Sequence, residues 1–322
     1  MENAKFRVVG KSFNKMDSIS RPSLTYWKDA WRRIRQNRVA FFSLLVILLY
    51  ILLAAFGPGM NGFDANSTNS DRMNFFWSST EFEGLSFPER VGSLVETGHW
   101  FGTDEIGRDL WTRLWMGARV SLSIGFIATF INTAVGAIVG GISGYYGGKV
   151  DAVIMRIVDV LYGIPYMIVA ILIMVVLGSG VMSLIIAMVL VGWIGTARFV
   201  RGEVLKIKEQ EYVEAAIVLG VSDFTIIWRH IIPNIMGLII TNLTMSVPRA
   251  IFSEAFLSYI GLGIAPPDSS WGVLAKAGVK MMRIFPYQLI IPAFFISTTM
   301  LALNLIGDGM RDALDPKLRG SQ

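Results

Sequence analysis

The residues able to do covalent or metal chemistry are few and far apart. Two histidines, His99 and His230, and no cysteine occur in 322 residues. Thiol catalysis, zinc ribbons and a disulfide scaffold are therefore excluded. No HExxH pair exists for a zincin-type centre, and no GxSxG elbow exists for a nucleophilic serine. Gly144-Tyr145-Tyr146-Gly147-Gly148-Lys149-Val150 superficially offers a phosphate loop. It lacks the Gly five residues before Gly148, and Val150 stands where Ser or Thr would face magnesium. We expect no catalytic residue, no metal ligand and no cofactor in this chain.

Two other constellations carry charge in unusual places. Arg249 and Glu254 lie five apart in or near an apolar run. Ionisable groups inside a membrane are by default functional, and an ion pair at the outer interface is the equally open reading. The second constellation is the loop ARFVRGEVLKIKEQEYVEAAIVLGVSDFTIIWRHIIPN, residues 197–234. Strong helix formers run from Glu203 to Leu219, and Gly220 is a natural helix stop. Ser222 can cap a second short helix with Asp223 in its first turn. Pro233 marks where the next apolar run begins. Tyr212, Ala215, Ala216 and Leu219 fall at helical spacing beside Glu214, an apolar face with small residues at its crest. It suits docking of a partner as well as it suits a plain linker.

These residues are positioned by apolar runs. Hydrophobic residues make up 53% of the chain and charged residues 16%, against about 25% charged in soluble domains. Disorder is excluded. No charge falls between Arg38 and Asp64, Arg119 and Lys149, Asp159 and Arg198, Arg229 and Arg249, or Arg283 and Asp308. Each gap holds at least one run of about 20 apolar residues, enough to cross a bilayer. Gly178-Ser179-Gly180 divides the longest gap with a tight turn. Six spans result, at 39–57, 119–142, 160–177, 181–197, 232–253 and 287–307. A soluble helix of this length would show a polar face, and Phe41 to Leu49 shows none. The first span follows a long polar tail with no cleavage site after it, so we expect an anchor that stays.

The formal charge of +5 reports orientation. Residues 1–38 hold ten basic and three acidic residues, and residues 58–118 hold four and nine. The positive-inside rule places the N-terminus in the cytoplasm and the 58–118 loop outside. Six spans return the C-terminus, with Arg311, Lys317 and Arg319, to the cytoplasm. They also place the 198–231 loop inside. Lys276, Lys280 and Arg283 in the outer 263–286 loop are a mild exception. Nucleic acid is not needed to explain the basic character. The expected organisation is a cytoplasmic tail (1–38), a first span (39–57), an external loop (58–118), a core of five spans (119–310) with its cytoplasmic loop at about 198–233, and a cytoplasmic tail (311–322).

Smaller features follow. Residues 1–25 read as disordered. Trp27, Trp31 and the Arg32–Arg38 cluster suggest an amphipathic stretch on the cytoplasmic surface. Asp104 to Trp115 reads as a short external helix leading into the second span. Gly136, Gly140, Gly144 and Gly148, each four apart, would place small residues on one face for close helix packing. Asn132, Asn234, Asn242 and Asn304 are candidates for polar contacts between helices.

Glu214-Ala215-Ala216, three residues, Gly220 and a gap to His230-Ile231-Ile232-Pro233 resemble the EAA signature of ATP-binding-cassette importer permeases, in the version of the peptide and nickel branch. Residues 101–109, 144–148, 257–263 and 307–316 resemble the same branch, so the likeness covers about 98–318. The chain resembles C-type permease subunits of oligopeptide or dipeptide importers. The resemblance implies an all-α integral membrane fold with six transmembrane helices, that of type I importer permeases, in the bacterial inner membrane. It implies that Glu214, Ala215, Ala216 and Gly220, with Ser222 and Asp223, form a coupling helix region seated in a groove of a cytoplasmic ATPase. The implied partners are a homologous B-type permease, two ATPase subunits holding ATP and magnesium, and an external solute-binding protein. Asp104, Arg108, Asp109 and Trp271, in the outer loops, are candidates for an external gate or binding-protein contact, with packing on their own subunit the equal alternative. A nickel or metal-chelate permease remains open. Nearly charge-free spans count against a self-sufficient channel or proton-coupled carrier.

Overall fold

The computed structural model describes residues 26–76 and 86–314. The tail 1–25 and the basic residues Lys317 and Arg319 lie outside the described residues. Within them the chain is helical, and the one β feature is an isolated bridge between Thr103 and Asp109.

Helix α1 (Tyr26–Gln36) carries the basic amphipathic stretch and leads directly into α2 (Arg38–Phe56), whose start is capped by Asn37. On α2 the buried residues are Ala40, Ser43, Ile47, Tyr50 and Ala54. Their alternating three- and four-residue spacing is one helical stripe. Phe42, Leu45, Leu49 and Phe56 point away from it and are exposed, as lipid contact requires. A short α3 (Phe87–Thr97) follows in the outer loop, opened by a capping box between Ser86 and Glu89.

Helix α4 (Leu110–Tyr146) runs unbroken for 37 residues. The expected separate helix at 104–115 is absent. Residues 104–109 are instead a turn, and Asp109 caps α4 by accepting the Thr112 N–H at 2.8 Å. Next come α5 (Gly148–Tyr162) and α6 (Tyr166–Leu177), bent 78° from each other. Pro165 sits at the break, where a missing N–H and restriction of the preceding residue end the helix. The expected third span, 160–177, is therefore the second limb of a bent pair. The charged residues of α5 hid the first limb.

Gly178-Ser179-Gly180 turns the chain into α7 (Val181–Gly192), which continues through Trp193 into α8 (Ile194–Lys208). This span runs past its expected end at 197. The short α9 (Glu211–Val218) and one-turn α10 (Asp223–Thr225) follow, then a π-helical turn, Ile226–Ile231, that feeds α11 (Ile232–Ile260). Helix α12 (Trp271–Met281) precedes the last span, α13 (Tyr287–Leu314). Five helical stretches are long and apolar enough to cross a membrane, and the bent pair makes up to six.

The core has three main parts. Trp115, Trp271, Ile251 and Leu303 join α2, α4, α11, α12 and α13. Ile124, Met174, Leu184 and Leu257 join α4, α6, α7 and α11. Val200, Val204, Val213, Ile226 and Ile235 join the cytoplasmic ends of α8 and α11 to the loop between them. The glycine seam is real at three of its four positions. A Cβ on Gly140 would lie 2.3 Å from the Ala197 carbonyl, one on Gly136 2.6 Å from Thr196 Cβ and one on Gly144 2.9 Å from Val204 Cβ. Gly148 is not in the seam. Helix α4 ends at Tyr146, so the register is lost, and Gly148 has open space around it at φ +49°.

Candidate coupling surface and intramembrane cleft

The loop between α8 and α11 is held by a dense set of hydrogen bonds. The expected helix from Glu203 to Leu219 is divided at Glu209-Gln210 into α8 and α9. Gly220 then takes φ +74°, a left-handed value that favours glycine. Its N–H reaches the Ile217 carbonyl at 3.0 Å, and the Val221 N–H reaches Ala216 at 3.1 Å. The hydroxyl of Ser222 accepts the Thr225 N–H at 3.4 Å, and the two hydroxyls lie 2.8 Å apart. Tyr145, at the cytoplasmic end of α4, donates its hydroxyl to Asp223 Oδ1 at 2.7 Å. Lys208 donates to the Tyr145 carbonyl at 2.6 Å.

The faces of α9 divide cleanly. Val213 and Ala216 are buried against the chain's own core. Ala216 therefore does not belong to the outward face on which its spacing with Tyr212 placed it. Glu214 and Ala215 are exposed. So are Tyr212, Ile217, Val218 and Leu219, with Phe224 just beyond; Val218 is 86% exposed and Leu219 81%. A contiguous exposed apolar cap on an ordered turn is the kind of surface that marks an interaction site. Partial desolvation pushes the Tyr212 hydroxyl pKa up.

The outer candidates sit differently. Asp104 is buried and closes its turn by accepting the Ile106 and Arg108 N–H groups and Arg108 Nε at 2.7 Å. Asp109 is buried too, with His99 Nδ1 2.9 Å from its Oδ1 and Asn61 donating to its Oδ2 at 2.7 Å. Phe63 stacks on the His99 ring. Trp271 is fully buried and donates from Nε1 to the Leu114 carbonyl at 3.1 Å. These three side chains pack within their own subunit, and only Arg108 is partly exposed. Arg108 and Arg113 also line an outer cavity of about 350 Å³ with Asp268, Lys276 and Lys280.

Arg249 and Glu254 do not pair. Glu254 is wholly enclosed and accepts hydroxyls from Ser121 at 2.7 Å and Ser258 at 2.8 Å, which joins α11 to α4. Arg249 faces a separate cleft of about 350 Å³ between α4, α6, α7, α8 and α11. Thr129, Asn132, Thr133, Asn242 and Ser246 line it as well. Asn132 and Asn242 are expected from the sequence, whereas the two threonines are not. Thr129 and Thr133 are four apart and flank Asn132, a polar face visible in the sequence once α4 is known to be continuous.

The comparisons with known proteins match this architecture. Residues 133–320 match the family described as binding-protein-dependent transport system inner membrane component. The chain belongs to this permease family. Residues 25–76 match the N-terminal transmembrane domain of oligopeptide transport permease C. The permease is 45% identical to the dipeptide transport system permease protein DppC of Bacillus subtilis over 94% of this chain and 89% of that one. It is 45% identical to the oligopeptide transport system permease protein OppC of the same organism, over 94% and 93%. For the Escherichia coli K12 OppC the identity is 43% over 91% and 92%. The permease is thus an all-α, multi-pass membrane transport subunit. Its family core begins in the second half of α4, and the N-terminal match carries α1 and α2, which pack on α13 through contacts such as Tyr50 to Thr298 at 2.9 Å.

Proposed function

We propose that this permease is one of two related transmembrane subunits of an ATP-driven importer for oligopeptides or dipeptides. Two cytoplasmic ATPases supply the energy, with ATP and magnesium bound on them, and an external solute-binding protein delivers cargo. The N- and C-termini and the 198–233 loop face the cytoplasm. The observation that carries the coupling role is the exposed apolar cap from Tyr212 to Phe224 on a loop tied to α4 by Tyr145. The peptide cargo rests on the relatives, which are named for dipeptide and oligopeptide transport.

Closure of the ATPase pair on ATP would move α9 with the groove that holds it. The buried contacts of Val213 and Ala216 with α8, and of Asp223 with Tyr145, make the loop move as one body with α4, α8 and α11. ATP drives the change only because the closed ATPases bind one permease conformation better than the other. Glu214→Arg tests this. The variant should insert normally yet lose both ATPase co-purification and uptake; normal peptide uptake would refute the assignment. The purified chain alone should hydrolyse no ATP. In liposomes with its partners, stimulation of ATPase activity by nickel complexes and not by peptides would overturn the cargo.

A further inference from the structure

The cleft between α4, α6, α7, α8 and α11 holds a cation and several polar groups that find no partner among the described residues. Arg249 lies 17 residues after Ile232 and 11 before Ile260. At about 1.5 Å per residue both helix ends are well over 10 Å away, so the residue lies well within the helix. Its side chain is exposed, and among the described residues no carboxylate lies within 4.0 Å of it. Glu254 is five positions on, about 140° around the helix, and is engaged elsewhere. Thr129 and Thr133 are buried, and their hydroxyls have no hydrogen-bond partner; the same holds for the Asn132 side-chain oxygen. Immediately before Arg249, Pro248 interrupts the helix ladder and frees the Thr244 carbonyl.

Hydrocarbon cannot fill such a cleft, because it would strand the cation and the hydroxyls together. An apolar helix would do the same. The occupant must bring negative charge and hydrogen-bonding groups. A peptide terminus brings both, and a guanidinium can hold a carboxylate through two parallel hydrogen bonds. The volume falls at the lower end of small-ligand sites, which run from about 300 to 1,000 Å³.

We propose that Arg249 recognises a carboxylate of the cargo in this cleft, with Thr129 and Thr133 offering hydroxyls to the adjoining peptide groups. The cleft is then this subunit's part of the cargo path, and Arg249 sets a preference for acidic termini during translocation. This rests on the peptide-importer reading above.

The test uses the complete importer in liposomes with its binding protein saturated. Uptake of trialanine is compared with its C-terminal amide and with an amide carrying one glutamate. Wild type should prefer trialanine over its amide. Arg249→Gln should shrink that ratio at least tenfold, and Arg249→Lys should restore part of it. Rescue of the amide by its glutamate would identify any carboxylate as sufficient; no rescue would assign the C-terminal one. An unchanged ratio in Arg249→Gln, or no preference in wild type, would overturn the proposal. No uptake of any peptide by wild type would instead overturn the peptide-importer reading. A second measurement is independent of Arg249 variants. The chain has no cysteine, so Thr133→Cys places a single thiol in the cleft. It should react with an anionic methanethiosulfonate, and trialanine should protect it more than the amide does. A thiol unreactive with and without ATP would show a cleft sealed by lipid or by the second permease, against the proposal.

Discussion

The hydroxyl of Tyr145 donates to Asp223 Oδ1 at 2.7 Å, joining the cytoplasmic end of α4 to the turn that follows α9. These residues are 78 positions apart, and the neighbouring Tyr146 also interacts with Asp223. The bond links the loop that carries the exposed apolar cap to α4. Tyr145→Phe keeps the ring in its buried site and removes only the donor. Asp223 is exposed and rehydrates easily, so the cost should be about 1 kcal/mol. ATPase subunits should still co-purify with this variant, while peptide uptake per ATP hydrolysed falls severalfold. Unchanged uptake per ATP would show that this bond does not carry motion.

The glycine seam predicts a sharp order among alanine substitutions. In Gly140→Ala the new methyl would meet the Ala197 carbonyl at 2.3 Å and the Arg201 amide at 3.0 Å, so α4 and α8 must move apart. Overpacking of this kind costs about 1–3 kcal/mol or more. Gly148 has open space but a left-handed backbone at φ +49°. Gly148→Asn should be nearly neutral, because Asn tolerates that conformation. Thermal unfolding in detergent should show a large loss for Gly140→Ala and little change for Gly148→Asn.

Trp271 separates packing from partner contact. It is fully buried, and its indole N–H satisfies the Leu114 carbonyl. Trp271→Ala should lower stability by about 3–5 kcal/mol, as large core truncations do. Trp271→Phe should cost much less and leave affinity for the solute-binding protein as it was. A drop in that affinity with unfolding temperature preserved would return Trp271 to the outer contact surface.

Much of this architecture is legible in the sequence because hydrocarbon imposes a simple rule: charge must leave the spans. The gaps after Arg38, Arg119, Asp159, Arg229 and Arg283 each coincide with a long apolar helix or with the bent pair. The same rule hid α5. Its Asp151 and Arg201 on α8 form a paired contact with both nitrogen–oxygen distances at 2.5 Å, so charges that look excluded from a helix bundle are in fact part of it. Helical spacing also grouped Ala216 with Tyr212, although only the packing of Val213 against Val204 reveals which face of α9 turns inward. The cleft at Arg249 needs the fold, since its lining comes from five helices spread over more than a hundred residues. Periodicity within one segment cannot report a surface assembled from several.

Orientation rests on charge alone and has a direct measurement. Ten basic residues in 1–38 face three acids, whereas the 58–118 loop is acidic by nine to four. Basic segments are retained on the cytoplasmic side, so Asn66 should be external and Ser222 internal. Both residues are exposed, and neither contributes a side chain to the core. Because the chain contains no cysteine, each substitution to Cys introduces a unique thiol. A membrane-impermeant maleimide added to right-side-out vesicles should label Asn66→Cys at once and Ser222→Cys only after permeabilisation. The reverse pattern would place α9 outside, where no ATPase can reach its apolar cap, and would overturn the coupling assignment together with the topology. Labelling of Ser222→Cys after permeabilisation should also fall when the ATPase subunits are bound. Protection there, with Asn66→Cys unaffected, would report that the groove covers the loop containing Val218, Leu219 and Phe224.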